Sequence, residues 1–502
     1  MTFDLVRYGG DPTCMNDSSK ALAAAMAAAL AIGGENSLPG VIGSGGVAVD
    51  LGGGTFLVSE PLVILGGEGV TLRGGTLRAA PSFPPSACMI NVTGGQHLAF
   101  ADLTLDALHT GACFCVDNVV QVTVSDSFFL HYKTFGILGD DLHGASHELL
   151  VTGSFFAEYM WGEPGFDDIA QQSGTALFLA GQFYDSNFYD SIIRCTRVGV
   201  VNMAGANLFH GVHIYSTCNK DPSGGNVSVG FINGAWGQTR ISNSYFDDSP
   251  LIVLRPNEIT MKDNLFYGLS GLVFAPTEQN FSSQGVLVSG NVFTATPYSG
   301  GGPSLHYDTV NGTVDTAALL DCVVADNSVA IRSAERTTRV TSTLLASGSG
   351  GNTSWSGVVD LRSKLLFLSA SPPPWDWRVS AAPALAQIAA REARLPNDRN
   401  TRSAPLTLRP ADAFGGALSQ LQATASLVSA SAAEAGSGRS LVSSGFGVTV
   451  AVFPSAVPGV LDVVVELVTL AAGAASSPHA ALSSWSAFVT ISVDQSLPIG
   501  VL

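Results

Sequence analysis

Asp167 and Asp168 in "GFDDIA", Asp190 in "FYDSII", His213 in "GVHIYS" and Arg240 in "QTRIS" follow one another at gaps of 22 or 23, 23 and 27 residues. Carboxylates, an imidazole and a guanidinium at such spacing are the parts needed to cleave a glycosidic bond and hold an acidic sugar. One carboxyl group protonates the leaving oxygen and a second activates water, and in inverting chemistry the two stand about 6.5–9.5 Å apart. A histidine beside them tunes their ionisation, and an arginine pairs as a fork with a uronate carboxylate. Asp190 with Asp167 or Asp168 is therefore expected as the acid/base set, His213 as its tuner and Arg240 as a substrate contact. Each residue also has a plain structural use. Asp167 and Asp168 could solvate a loop tip, Asp190 cap a turn, His213 sit in a wall, and Arg240 pair with Asp247 or Asp248.

A second polar cluster, "GDDLHGASHE", runs from Gly139 to Glu148. His143 and His147 are four apart, which on a helix would suit a metal, but the Gly and Ser between them indicate a loop, where spacing fixes no geometry. No metal is expected there. Asp140, Asp141 and His143 are read as substrate contacts beside the groove, together with Asp247, or as an extra carboxylate pair of the active site.

What positions these groups is a repeated phrase. "VTVSDSFF", "LVTGSFF", "RISNSYF", "ITMKDNLF" and "VLVSGNVF" each alternate apolar and polar residues, then place a small or amide residue before an aromatic, ending at Phe129, Phe156, Phe246, Phe266 and Phe293. Irregular periods in the twenties with turn residues between short strands indicate a coil of stacked strands, because one turn cannot bury its apolar face alone. Neighbouring turns lie about 4.8 Å apart, so carboxylates on adjacent rungs of one face fall near catalytic separation. Asn243, Asn264 and Asn291 are expected at equivalent bends, with amides bonded along the axis. A β-sandwich also gives many short strands but does not explain the phrase.

The expected organisation is all-β: a parallel β-helix (46–367) behind an N-terminal strand and capping helix (1–45), a linker (368–403) and a small β-sandwich-like module (404–502). The cap is read from "YGGDPTCMNDSSKALAAAMAAAL", in which Asp17, Ser18 and Ser19 precede an alanine-rich run. The linker contains the Pro-rich "SASPPPWDW" and the charged "AREARLPNDRNTR". The module follows from alternating stretches such as "VLDVVVELVTL" and is read as closing the solenoid.

Composition narrows the partners. Apolar residues are 46% of the chain and charged ones 13%, which supports a large core and argues against disorder. A formal charge of −17 with few lysines excludes a nucleic-acid surface, since phosphate contacts need clustered basic groups. No run reaches membrane-spanning length. Seven scattered cysteines complete no zinc pattern. Six N-x-S/T sequons fit secretion, and no signal peptide precedes "FDLVRY", so a secreted, cell-wall protein whose leader has been removed is expected.

"YGGDPT", "ND" and "VDLGGGTFLVSEPLVI" resemble the opening of the pectin-lyase-like right-handed β-helix superfamily. "FFLHYKTFGIL", "SGTALFL", "GANLFHGVHIYS", "QTRISNSYFDD" and "VTISVDQ" are similar to the QUARTET-type polygalacturonases of plants, over nearly the whole chain. The resemblance implies an inverting glycoside hydrolase acting on an acidic cell-wall or extracellular polysaccharide, without a cofactor, as a monomer or homotrimer. Polygalacturonases carry N-T-D, D-D, G-H-G and R-I-K in that order. Here N-T-D is absent, "GVH" stands for G-H-G, and Arg240-Ile241-Ser242 keeps only the R-I. The rival readings are a polysaccharide lyase, which would require calcium, a non-catalytic glycan-binding or structural β-helix, and a trimeric fructan transferase.

Overall fold

Each turn of the chain is built from three short strands, and a computed structural model of the protein shows how they stack. It describes residues 1–33, 46–164, 166, 171–215, 228–268, 270–275, 285–294, 305–307, 322–329, 339–349, 354–360, 382, 384–388, 390, 422–434, 446–454, 460–469 and 482–494. One strand of each turn joins a ten-stranded parallel sheet that runs in sequence order from Leu62–Leu65 to Leu305–Tyr307. The other two form a corner, a first limb such as Leu150–Thr152 and a second limb such as Phe155–Ala157. Both limbs pair in parallel with their counterparts in the next turn, giving the 22-stranded sheet of a right-handed parallel β-helix.

The repeated phrase is this corner. Its first apolar positions point inward from the first limb, and its aromatic points inward from the second. Phe129 stacks on Phe156 at 4.7 Å between ring centroids, and Phe246, Phe266 and Phe293 continue the column at 4.8 and 4.6 Å. Between the limbs one residue adopts the left-handed conformation that reverses the chain: Asp126, Gly153, Asp190, Gly211, Asn243, Asp263, Gly290 and Asp326. Only glycine, asparagine and aspartate visit that region cheaply, and they alone fill this position.

Aspartates at the corner lean over the glycine of the following turn. A Cβ on Gly153, Gly211 or Gly290 would lie 2.6, 2.4 or 2.3 Å from the Oδ1 of Asp126, Asp190 or Asp263. Gly211→Ala is therefore expected to cost about 1–3 kcal/mol, combining left-handed strain with displacement of the carboxylate. Urea midpoints measure it, and adding Asp190→Gly should recover the steric part of the loss.

The residue after the corner is buried and forms a ladder along the axis. Asn264 Nδ2 donates to Asn291 Oδ1, and Asn291 Nδ2 to Asn327 Oδ1, both at 2.9 Å. Backbone N–H groups of Ser244, Asn264 and Asn291 donate to the next Oδ1 at 2.9–3.0 Å. The expected amide ladder is present with one correction. Asn243 sits one residue earlier, exposed in the corner at φ 49°, and Ser244 takes its rung.

Helix Ser19–Gly33 closes the N-terminal end, burying Leu22, Ala25, Met26 and Ala29 against the solenoid core. Asp17 accepts from Ser19 N–H and Oγ and from Ser59, tying the helix start to the first turn. A Cys88–Cys115 disulfide joins two strands of the ten-stranded sheet.

Beyond the last stacked pair, Val292 with Ser328 and Phe293 with Val329, pairing becomes antiparallel. Arg339–Ser349 and Gln422–Glu434 flank Leu482–Asp494, and Ser354–Asp360 and Phe446–Pro454 flank Val460–Thr469. The strands at 339–360, expected within the solenoid to residue 367, thus pair with the C-terminal module. All eleven residues of Arg339–Ser349 pair in antiparallel register with Leu482–Asp494, whereas every limb of the solenoid pairs in parallel. Ala384 and Ile388, from a helical stretch in the expected linker, pack on the outer face of the ten-stranded sheet against Phe178, Val201, Ile232, Ile252 and Val273.

A carboxylate shelf and a polar groove

Asp117 and Asp140 end consecutive strands of the ten-stranded sheet, Ala112–Asp117 and Phe135–Asp140, and are Cα partners across the pair. Strand alternation puts them on the outer face with Cys115 and Leu138, while Val116 and Ile137 face the core. Asp141 follows as the chain leaves the strand. All three are nearly closed to solvent, at 5, 9 and 8% exposure.

Their contacts fix the shelf. Asp117 accepts from His143 N–H at 3.2 Å and pairs with His143 Nδ1 at 2.5 Å, while that imidazole is largely exposed. Asp140 Oδ1 accepts from Asp141 N–H at 3.0 Å, and Asp141 Oδ2 accepts from Gln182 N–H at 3.2 Å. Tyr184 stands nearby, its hydroxyl pushed up first by burial and then by the charge of Asp141. Two backbones about 4.8 Å apart carry the three carboxylates.

A second assembly lies on the outer face of the second limbs. His213 pairs in register with Tyr245 and stacks on it at 4.6 Å and 12°. Arg194, Tyr215, Asp247 and Tyr267 occupy successive positions of the neighbouring column. The Arg194 guanidinium lies 5.3 Å from the Tyr215 ring and 5.6 Å from those of Trp161 and Phe166. Burial, then the Arg194 charge, pushes the His213 imidazole below its ordinary value, so it stays neutral.

Burial, helped by the adjacent Asp248, raises the Asp247 carboxyl to about 6, and a Tyr245 hydrogen bond opposes the shift. The sign for stability follows. Between the ordinary 3.8 and about 6 the folded protein keeps a proton that the unfolded chain releases, so stability falls as pH rises through that window. Asp247→Asn is expected to remove this slope. Urea midpoints of both proteins from pH 4 to 7 test it, and a wild-type-minus-variant difference that rises with pH would contradict it.

These positions sort the expected site residues. Asp140, Asp141 and His143 come together on the shelf, joined by Asp117, which the sequence reading passed over. His213 and Asp247 lie in neighbouring columns on the outer face of the second limbs, with Arg194 and three tyrosines. Asp190 does neither: its exposed carboxylate stands over Gly211 at the corner. Arg240 lies exposed on the first limb, in register with Leu208 and Thr260, across the corner from the groove. Asp167 and Asp168 lie outside the described residues. Asp117 was detectable, since "CFCVD" and "GILGD" both end an apolar stretch in aspartate, 23 residues apart.

No family model matches the chain. Among curated proteins it is similar to polygalacturonase QRT3 of Arabidopsis thaliana, 28% identical over 385 residues that cover 73% of this chain and 74% of that one. Among solved structures, ORF18 of Geobacillus virus E2 aligns at TM-score 0.48 and 11% identity, over 71% of this chain and 70% of that one. The mannuronan C-5 epimerase AlgE4 A-module of Azotobacter vinelandii aligns at 0.27 and 13%, over 66% and 95%. The chain is a right-handed parallel β-helix protein. Its sequence resemblance is to the QUARTET-type polygalacturonases, in agreement with the motifs quoted above.

Proposed function

We propose that the protein hydrolyses an acidic cell-wall or extracellular polysaccharide, polygalacturonate foremost, by inverting two-carboxylate chemistry on the Asp117–Asp140–Asp141 shelf. The observation that carries this reading is the in-register pair Asp117 and Asp140, the last residues of adjacent strands in the ten-stranded sheet, with Asp141 directly after. One carboxyl group of the set gives its proton to the glycosidic oxygen as the bond breaks. Another takes a proton from the water that attacks the anomeric carbon from the opposite face. His143, anchored through Asp117, presents its exposed ring edge to the reaction and orients that carboxylate. The similarity to polygalacturonase QRT3 supports the substrate class. An extracellular setting accords with the Cys88–Cys115 bridge, since disulfides persist in oxidising compartments.

The test is release of reducing ends from polygalacturonate, rhamnogalacturonan, alginate and inulin, with absorbance near 235 nm followed in parallel, with and without chelator. Hydrolysis predicts new reducing ends on an acidic substrate without that absorbance. Absorbance that chelator abolishes would make the protein a lyase, and silence on every substrate would leave a glycan-binding solenoid.

A further inference from the structure

His131 and His109 lie in neighbouring turns where the second limb leaves the corner sheet, away from the carboxylate shelf. His131 Nδ1 pairs with Asp106 Oδ1 at 2.8 Å, and its Nε2 faces Glu163 Oε1 at 3.0 Å. His109 stacks on Tyr159 at 4.5 Å and 29°, and its Nδ1 is buried with no hydrogen-bond partner among the described residues. One donor atom from each of His109, His131 and Glu163 falls within 4.8 Å of the others. The second Glu163 oxygen accepts from Met160 N–H at 2.8 Å, which orients the carboxylate.

We propose that His109, His131 and Glu163 bind a zinc-class divalent cation, with Asp106 as the outer support of His131. Two imidazoles and one carboxylate are a recurrent zinc set that leaves one position open, and its ligand bonds of about 2.0–2.2 Å fit inside the observed cluster. Calcium is disfavoured, since it takes six to eight oxygens. The Asp106–His131 pair is the support such ligands need. A carboxylate that holds Nδ1–H fixes the tautomer and points the Nε2 lone pair at the metal. Among the described residues the buried His109 Nδ1 has no hydrogen-bond partner, which leaves its lone pair for a ligand bond.

The competing arrangement is an ion triad in which a protonated His131 bridges Asp106 and Glu163. Burial works against that proton, but the Asp106 hydrogen bond and the charges of Asp106 and Glu163 outweigh it, so His131 is raised overall. A metal and this proton would occupy the same Nε2 atom, so the two arrangements exclude one another. Glu163 belongs to the segment that leaves strand Phe155–Ala157, so the ion would clip that segment to the solenoid beside Arg194 and Trp161.

Calorimetric titration of the untagged, chelator-stripped full chain with Zn²⁺ at pH 7.5 tests the site. The expected result is about one equivalent bound with Kd at or below about 10 µM and a raised melting temperature. Co²⁺ in its place should give the visible bands of a four-coordinate ion. Glu163→Gln and His109→Gln should abolish the bound equivalent, Asp106→Asn should weaken it about 10–100-fold, and His143→Gln on the shelf should leave it unchanged. Glu163 is partly exposed, so its variant keeps the test readable if His109→Gln does not fold. Absence of binding by the wild type, or binding that Glu163→Gln leaves intact, would overturn the proposal and leave the ion triad.

Discussion

Asp140→Asn is expected to lower the rate of polygalacturonate hydrolysis by about 10²–10⁴-fold, the usual worth of a positioned acid or base, while leaving the urea midpoint within error. The substitution is nearly isosteric, and the amide oxygen still accepts from Asp141 N–H, so the shelf keeps its shape. What disappears is a group that can exchange a proton between sugar and water. The same exchange at the corner has the opposite expectation. Asp190→Asn should keep the rate within about twofold, because asparagine tolerates the left-handed conformation and the carboxylate there only overhangs Gly211. Reducing-end kinetics on the two variants, with midpoints recorded on the same preparations, give the comparison.

Asn291→Ala is the largest stability loss expected, about 3–5 kcal/mol. The side chain is fully buried and serves two turns at once. Its oxygen accepts from the N–H and Nδ2 of Asn264, and its amide donates to Asn327 Oδ1 and to the Met261 carbonyl. Truncation leaves buried partners on both sides unpaired, each costing about 1–3 kcal/mol. Asn243→Ala, one residue off the ladder in another turn and exposed, should cost only about 1–2 kcal/mol, the left-handed penalty of an ordinary residue. Equal losses at the two positions, measured by urea denaturation, would show that the ladder is not what holds adjacent turns.

The solenoid was legible in the sequence because the corner is written out residue by residue: alternation for the first limb, a left-handed residue, a small or amide residue, an inward aromatic. Where side chains fall around a turn was less legible. A gap of one period places two residues one rung apart but not on one face, since loop insertions add to the count without moving the strands. His213 pairs with Tyr245, 32 residues on (245 − 213), so Arg240 at a gap of 27 falls on the other limb. Asp117 and Asp140, at a gap of 23, have no insertion between them and do stack. The corner also hid Asp190. Aspartate fills it for its backbone tolerance, and a spacing argument cannot separate that use from catalysis.

The solenoid's end was missed for a different reason. "RVTSTLLASGS" alternates much as a limb does, but its full length pairs antiparallel with Leu482–Asp494, a partner more than a hundred residues away that no local pattern announces. The apolar outer face of the ten-stranded sheet was hidden likewise. A strand buried on both faces reads as a continuous apolar run, and only the packing of Ala384 and Ile388 shows what covers it.

The central claim is that the shelf carboxylates cleave a glycosidic bond with a water between them. Proton NMR of a polygalacturonate oligomer during the first minutes of digestion tests it most directly, by reading which anomer of the new reducing end forms first. The account predicts the inverted anomer and no unsaturated product. A retained anomer, which requires a closer carboxylate pair and a covalent intermediate, or an unsaturated end would contradict it.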